Sequence, residues 1–229
     1  MDIEDSGPVA AKDAAKGVAT KDVATKDAGW RGSRELWLKA ALSALMEGGV
    51  DAVKIQPLAS QLNLSRTSFY WFFENRSSLL AALLDHWDGK NTTALIKASE
   101  AYADTPAEGM LNVIYCFLEQ EAFDPKLEFA VRGWALQSDE VMSRVNSTDE
   151  LRLAALVRLL QRQGFDEAEA DARARTVYLT QIGYISMQVR EPMQERMARV
   201  PAYVRIFCGE AATGSELARF RSRLRLEAT

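Results

Sequence analysis

Between Arg66 and Phe73 the chain reads RTSFYWFF, which crowds two hydroxyl side chains, a tyrosine and a tryptophan among three phenylalanines beside a cation. Turning about 100° per residue around a helix puts Phe72 and Phe73 on the side of Phe69, with Thr67 and Trp71 nearly opposite and Ser68 and Tyr70 flanking them. Five consecutive aromatics cannot share one buried stripe. The periodicity therefore assigns Phe69, Phe72 and Phe73 to a core and leaves Thr67, Ser68, Tyr70 and Trp71 facing outward. Short hydroxyls that reach base edges, flat apolar surface for thymine methyls and Arg66 for phosphate are what reading a DNA major groove requires.

Such a face must be held by neighbouring elements, and the residues before it describe them. Ile55, Leu58, Ala59 and Leu62 recur at i, i+3, i+4 and i+7, one stripe of a helix. Pro57 lacks a donor N–H and disfavours α-geometry at Gln56, so this helix begins within a residue or two of it. Asn63 and Leu64 interrupt the run. Ser65 is a good N-cap for a second helix, its hydroxyl placed to accept from the N–H of Thr67 or Ser68. Leu64 and Phe69 have the spacing of a hydrophobic staple across that cap. The sequence thus predicts a helix-turn-helix at about residues 54–73. Lys54, Gln56, Arg66, Tyr70 and Arg76 are assigned to phosphate, and Thr67, Ser68 and Trp71 to base edges or the groove floor, with Ser65 between the two sets.

The order of Ala59, Leu62, Asn63, Leu64, Ser65, Ser68, Phe69, Tyr70, Phe73, Asn75, Arg76 and Leu79 resembles the signature of tetracycline-repressor-type (TetR family) transcriptional regulators, over roughly residues 33 to 87. The resemblance implies that Tyr70 contacts a phosphate, that Phe73 is an apolar aromatic of the domain core, and that Arg76 holds a phosphate from the start of the next helix. It also implies an N-terminal arm, here Trp30, Arg31 and Arg34, meeting DNA. Asn63 stands where glycine is usual and Arg76 where lysine is common. Both fit, because Asn tolerates left-handed backbone and Arg binds phosphate at least as well as Lys.

Composition sets the outer bounds. At 229 residues, 48% hydrophobic and 26% charged, the chain has the balance of a soluble globular protein, with no apolar run near the ~20 residues that span a bilayer. The first residues lack a basic stretch followed by an apolar one, so the expected address is cytoplasmic with no membrane partner. A net charge of −4 argues against a general nucleic-acid coat, yet Lys54, Arg66 and Arg76 face only Glu74 between residues 54 and 76, a local surplus of two positive charges. Cys116 and Cys208 lie far apart in apolar contexts and read as reduced and buried. With one histidine, His86, and no Cys-x-x-Cys, a histidine-based zinc cluster is close to excluded, and neither a cofactor nor a catalytic residue is expected.

The expected fold class is all-α: an N-terminal three-helix helix-turn-helix DNA-binding domain followed by a helical ligand-binding and dimerisation domain. Residues 1–29, an Ala, Lys, Asp, Val and Thr mixture with lysines nearly cancelled by aspartates, read as a disordered, solvated tail. Residues 30–90 form the DNA-binding domain, with Ser33 capping a bracing helix that stops at Gly48 and Gly49, and Asn75 capping the helix that links to the second domain. Residues 91–229 form that second domain. Helix starts are expected at Thr105-Pro106, Asp124-Pro125, Ser147 and Asp166, the last opening the longest helix, which stops at Pro192. Trp134, Tyr178 and Gln181 are candidates to line an effector pocket. Gly183, costly inside a helix by about 1 kcal/mol, suggests a closely approaching neighbour, with a partner subunit's helix as the candidate. Arg219, Arg221, Arg223 and Arg225 read first as a solvated face, with Asp166, Glu167, Glu169 and Asp171 as alternative partners.

The function expected from this reading is a homodimeric transcriptional regulator, a repressor, released from an inverted-repeat operator on double-stranded DNA by a small-molecule effector. The alternative is an all-helical interaction scaffold without DNA binding, which leaves the outward Thr67, Tyr70 and Trp71 unexplained. An enzyme would need convergent titratable groups that the sequence does not show.

Overall fold

The computed structural model describes residues 32–119 and 121–225, and among them every regular element is helical. Residues 1–31, with the tail and the arm residues Trp30 and Arg31, lie outside the described residues.

The first unit is built as its caps dictate. Ser33 accepts from the Leu36 N–H and opens α1 (Arg34–Gly48), which ends at Gly49 with φ 72°. A single 3-10 turn (Val50–Ala52) leads to α2 (Ile55–Gln61), then α3 (Arg66–Phe69), then α4 (Arg76–Trp87) behind a reciprocal cap between Asn75 and Ser78. Trp37, Leu45, Leu58, Phe69, Phe73, Leu79 and Leu83 close a core in which Trp37 meets Phe69 edge-on at 5.3 Å. Phe72 is only half-buried, packing at the margin of that core.

The linking helix does not stop at residue 90. A π-helical turn (Asp88–Thr92) carries α4 into α5 (Thr93–Glu100), followed by α6 (Pro106–Leu118), α7 (Pro125–Ala135), α8 (Asp139–Arg162), α9 (Glu167–Ser186), α10 (Met193–Cys208) and α11 (Gly214–Arg223). Thr105, Asp124 and Asp166 cap their helices as the sequence predicts. Two boundaries differ. The longest helix is α8, with 24 residues, and it starts at a Ser138 cap rather than at Ser147. Helix α9 ends at Ser186, short of Pro192. Helix α10 carries Pro201 in its interior. The arginines of α11 turn to α6 instead of the acidic run of α9: Arg219 pairs with Glu108 at 3.1 Å and Arg223 with Asn112 at 2.7 Å. Cys116 and Cys208 are buried and unbridged, and burial pushes the Cys116 thiol up to about 12.

Helix α7 and the start of α8 bury Leu127, Val131, Trp134, Val141 and Val145 in the same cluster as α1 and α4, so one apolar core spans both. Beneath it lies an ion cluster whose centre, Glu128 and Arg152, is fully buried. Glu128 Oε2 accepts from Trp87 Nε1 at 2.6 Å and Asn91 Nδ2 at 2.9 Å, while Oε1 accepts from Arg152 Nη1 at 2.8 Å and Arg132 Nε at 2.9 Å. Arg132 forks onto Asp149 at 2.6 and 3.0 Å. Arg152 also donates from Nε to Thr92 Oγ1 at 3.0 Å and lies over the Trp87 ring at 4.9 Å. Burial pushes the Glu128 pKa up, but the charges of Arg152 and Arg132 outweigh it and hold the carboxyl below the ordinary range.

Removing one member leaves the other charges buried and unpaired, so Glu128→Ala should cost about 3–5 kcal/mol in urea unfolding, whereas Glu128→Met combined with Arg152→Met should cost less than the two single changes added. Because the Glu128 pKa is lower folded than unfolded, its stabilisation is complete above the unfolded carboxylate range and is lost as pH falls through the folded value. Wild-type and Glu128→Ala melting points should therefore converge on acidification.

Candidate nucleic-acid interface

The turn between α2 and α3 is fixed by its backbone. Asn63 takes φ 53°, and the Leu64 N–H donates to the Ala59 carbonyl at 2.9 Å while the Asn63 N–H donates to that of Ser60 at 3.2 Å. These are the two bonds of a Schellman ending, with asparagine in the left-handed place glycine would take. Ser65 then caps α3, accepting from the Ser68 N–H at 3.2 Å.

Helix α3 is one turn long, and its continuation tightens: the Trp71 and Phe72 N–H groups bond three residues back, to Ser68 and Phe69. This sets which side chains face out. Thr67 and Arg66 are exposed, Tyr70 is 51% exposed and Trp71 63% exposed. Phe69 anchors the turn, stacked on Phe73 at 5.5 Å and meeting Tyr70 edge-on at 5.3 Å. Lys54, at the cap of α2, is exposed, as is Gln56, which lies 3.5 Å from the Ser60 hydroxyl. Arg34 is exposed, with its guanidinium over the Phe73 ring at 5.1 Å, which ties the start of α1 to the end of the reader.

Two assignments change. Ser68 is only 4% exposed and its hydroxyl donates to the Ser65 carbonyl at 2.7 Å, so it belongs to the capping turn and not to the outward face. Arg76 is half-buried, with Nε donating to the Val53 carbonyl and Nη2 to the Val50 carbonyl, each at 2.6 Å. The Val50 carbonyl also accepts from the Val53 N–H at 3.2 Å, so Arg76 staples α4 to the 3-10 turn and its C-cap ahead of α2.

The three effector-pocket candidates do not converge. Trp134 is buried beside a groove between α4 and α8. The Tyr178 hydroxyl is taken up by the ion cluster, donating to Asp149 at 2.6 Å and accepting from Arg152 and Arg132 at 3.0 Å. Gln181 lines a different cavity, between α6, α9 and α10. Glu128, Arg132, Asp149 and Arg152 were missed by sequence reasoning. A signal existed: Arg152 falls in the buried phase of Val141, Val145, Thr148 and Leu156, and Glu128 beside Leu127 and Val131.

A cap-fixed two-helix unit on a three-helix core, presenting Thr67, Tyr70, Trp71 and cations on one side, defines the class of helix-turn-helix DNA-binding domains. Residues 38–83 match the family of bacterial regulatory proteins of the tetR family. The matched segment runs from α1 to α4 and marks this helix-turn-helix unit as similar to the DNA-binding domain of those regulators. The chain is 38% identical over 56 residues to the class A tetracycline repressor protein of transposon 1721 in Escherichia coli, a stretch covering 24% of this chain and 26% of that repressor. The fold extends further than the sequence similarity. The structure of Mycobacterium smegmatis AmtR overlays with a TM-score of 0.58 at 18% identity, covering 86% of this chain and 97% of that one. A transcriptional regulator from Pseudomonas aeruginosa PAO1 overlays with a TM-score of 0.60 at 16% identity, covering 82% and 93%.

With Arg76 acting on protein carbonyls, Arg76→Ala should destabilise the domain by about 1.5–3 kcal/mol, the range for hydrogen bonds from a charged group. Thr67→Ala should leave the melting point within about 0.5 kcal/mol, as at an exposed position away from special features. Equal melting curves for the two variants would remove the stapling role.

Proposed function

We propose that the protein is a homodimeric, site-specific DNA-binding transcriptional regulator that represses from an inverted-repeat operator and is released by a small-molecule effector. The observation that carries this reading is the exposure of Thr67, Tyr70 and Trp71 on a turn whose Phe69 is wholly buried. Two large aromatics turned to solvent beside Arg66 and Lys54 fit a duplex surface: Thr67 and Trp71 meet base edges and thymine methyls, and Arg66, Lys54, Gln56 and Tyr70 meet phosphates. Arg34, at the start of α1, adds a further phosphate contact.

The dimer reading is supported by the outer faces of α9 and α10. Leu179 is 60% exposed and Ile206 58% exposed, each beside small residues: Thr176 and Gly183 on α9, and Ala202 on α10. A Cβ built on Gly183 would meet nothing of its own chain within 4 Å. The close neighbour that this helix glycine suggests is therefore assigned to a second subunit, packing the two helices as a four-helix bundle. Two readers held so, about 34 Å or a multiple of it apart, require a two-fold operator. Release requires only that the effector bind more tightly to a dimer whose readers are wrongly spaced.

Selection of bound duplexes from a random library should return an inverted repeat. On that duplex, Trp71→Ala should cost about 1–3 kcal/mol and relax one position of each half-site. Arg66→Ala should weaken all sequences alike and lower the salt slope by about one. A library returning no two-fold pattern, at low salt and with folded protein, would overturn the reading.

A further inference from the structure

The cavity between α6, α9 and α10 measures about 40 Å³ and is walled by Ile114, Phe117, Val177, Val200 and Phe207. One charged group enters this apolar lining. Arg196 lies against it with its guanidinium over the Tyr184 ring at 4.6 Å and a single neutral acceptor, Gln181 Oε1, at 3.2 Å. Among the described residues no carboxylate pairs with it. Glu191, whose charge acts on Arg196, bonds instead to Arg199 through Oε2, and its Oε1 has no hydrogen-bond partner. The Tyr184 and Tyr203 hydroxyls bond to each other at 3.0 Å on the same wall. Arg196 thus stands at the cavity with an amide oxygen and no hydrogen-bonded carboxylate. Burial lowers the Arg196 pKa, which is the mark of a charge without adequate compensation.

We propose that this cavity binds a small monocarboxylic acid, its carboxylate taking the place of the Gln181 amide on Arg196 and its hydrocarbon body filling the apolar end. A guanidinium prefers a carboxylate to an amide oxygen because the bond is charge-assisted and can be two-pronged. The body is short. A water-sized group needs about 10–15 Å³ of such volume, so the cavity takes about three, and displacement of the Gln181 side chain adds room for one or two more. That limits the ligand to a body of about three to five carbons. The stacked Tyr184 ring holds the guanidinium in place while leaving its N–H edge free for the acid.

This inference names the chemical class of the effector in the preceding reading and rests on that reading only for its regulatory consequence. The test is calorimetric titration of the full chain at neutral pH with isovalerate and butyrate, against isovaleramide as the uncharged counterpart. Isovalerate should bind about tenfold or more tightly than the amide, from a hydrogen bond to a charged group. Arg196→Gln, folded by its unliganded melting curve, should reduce isovalerate to the amide's affinity. Gln181→Ala, which removes the competing acceptor, should instead tighten isovalerate. Failure of both acids to bind wild type, equal binding of acid and amide, or undiminished binding by folded Arg196→Gln overturns the proposal; if Arg196→Gln does not fold, loosening of isovalerate by Gln181→Ala does so. The two readings separate in a second measurement, binding of the selected duplex with and without isovalerate. Arg196-dependent acid binding that leaves duplex affinity unchanged keeps the site and removes the effector role.

Discussion

Both oxygens of the Glu128 carboxylate are fully used, and the arrangement of the two halves of the chain depends on how. Trp87 and Asn91, from the helix that leaves the DNA-binding unit, occupy one oxygen, and Arg132 and Arg152 occupy the other. The π turn at Asp88–Thr92 makes this possible. One extra residue in the turn shifts the helical phase, so that Trp87, Asn91 and Thr92 all point inward instead of spreading around the surface. Arg144 of α8 adds an outer clasp on Asp85 and Asp88, at 3.3 and 3.0 Å. Exposed pairs of that kind contribute little to stability, and a buried cluster contributes less net stability than its short distances suggest. What such contacts define is direction: hydrogen bonds and ion pairs admit one docking of α4 on α7 and α8, where apolar packing alone would accept several.

A reader of DNA needs that definition more than it needs stability, because a tilt of α3 moves every contact at once. The local structure follows the same logic. The Schellman ending at Asn63, the Ser65 cap and the Arg76 staple each fix a backbone segment on one side of Phe69. Between them the exposed face is only about one turn long, so it offers few side chains and each must be well placed. Ser68 shows the limit. Its hydroxyl closes the capping turn, which leaves Thr67, Tyr70 and Trp71 to carry the outward face.

Local rules made much of this legible. Ser33, Ser65, Asn75, Thr105, Asp124 and Asp166 cap their helices because each signal lies within four residues of the helix it opens. The resemblance of residues 33 to 87 to TetR regulators agrees with the tetR-family match over residues 38–83 for the same reason, since its motif is a continuous stretch. The start of α8 was hidden because its first three turns, DEVMSRVNSTDE, bury only Val141, Val145 and Thr148, and a polar majority masks that stripe. Counting 100° per residue put Ser68 outward because it assumes a helix that continues, whereas α3 tightens after Phe69. The roles of Arg76, Arg152 and Arg223 were beyond local rules altogether. Their partners lie 23, 24 and 111 residues away in the chain, and only the fold brings them together.

The same distances show how an event in the second half can reach the first. Gln181, at the acid-binding cavity, and Tyr178, in the ion cluster, sit on one face of α9 a single turn apart. Tyr178 holds Asp149, Arg132 and Arg152, the two arginines hold Glu128, and Glu128 holds Trp87 and Asn91. Continuity of contact is not by itself coupling, because a ligand shifts only those equilibria whose two states it binds unequally. The cluster meets that condition in form. Its bonds are directional, and Glu128 and Arg152 at its centre are fully buried, so a shift or rotation of α9 of about 1 Å is absorbed less easily than between apolar side chains. Either the bonds to Glu128 are kept and α4 follows, or they break at the cost of stranding a charge. A switch of this kind has two positions rather than a range, and its free-energy gap is set by the desolvated carboxylate at its centre.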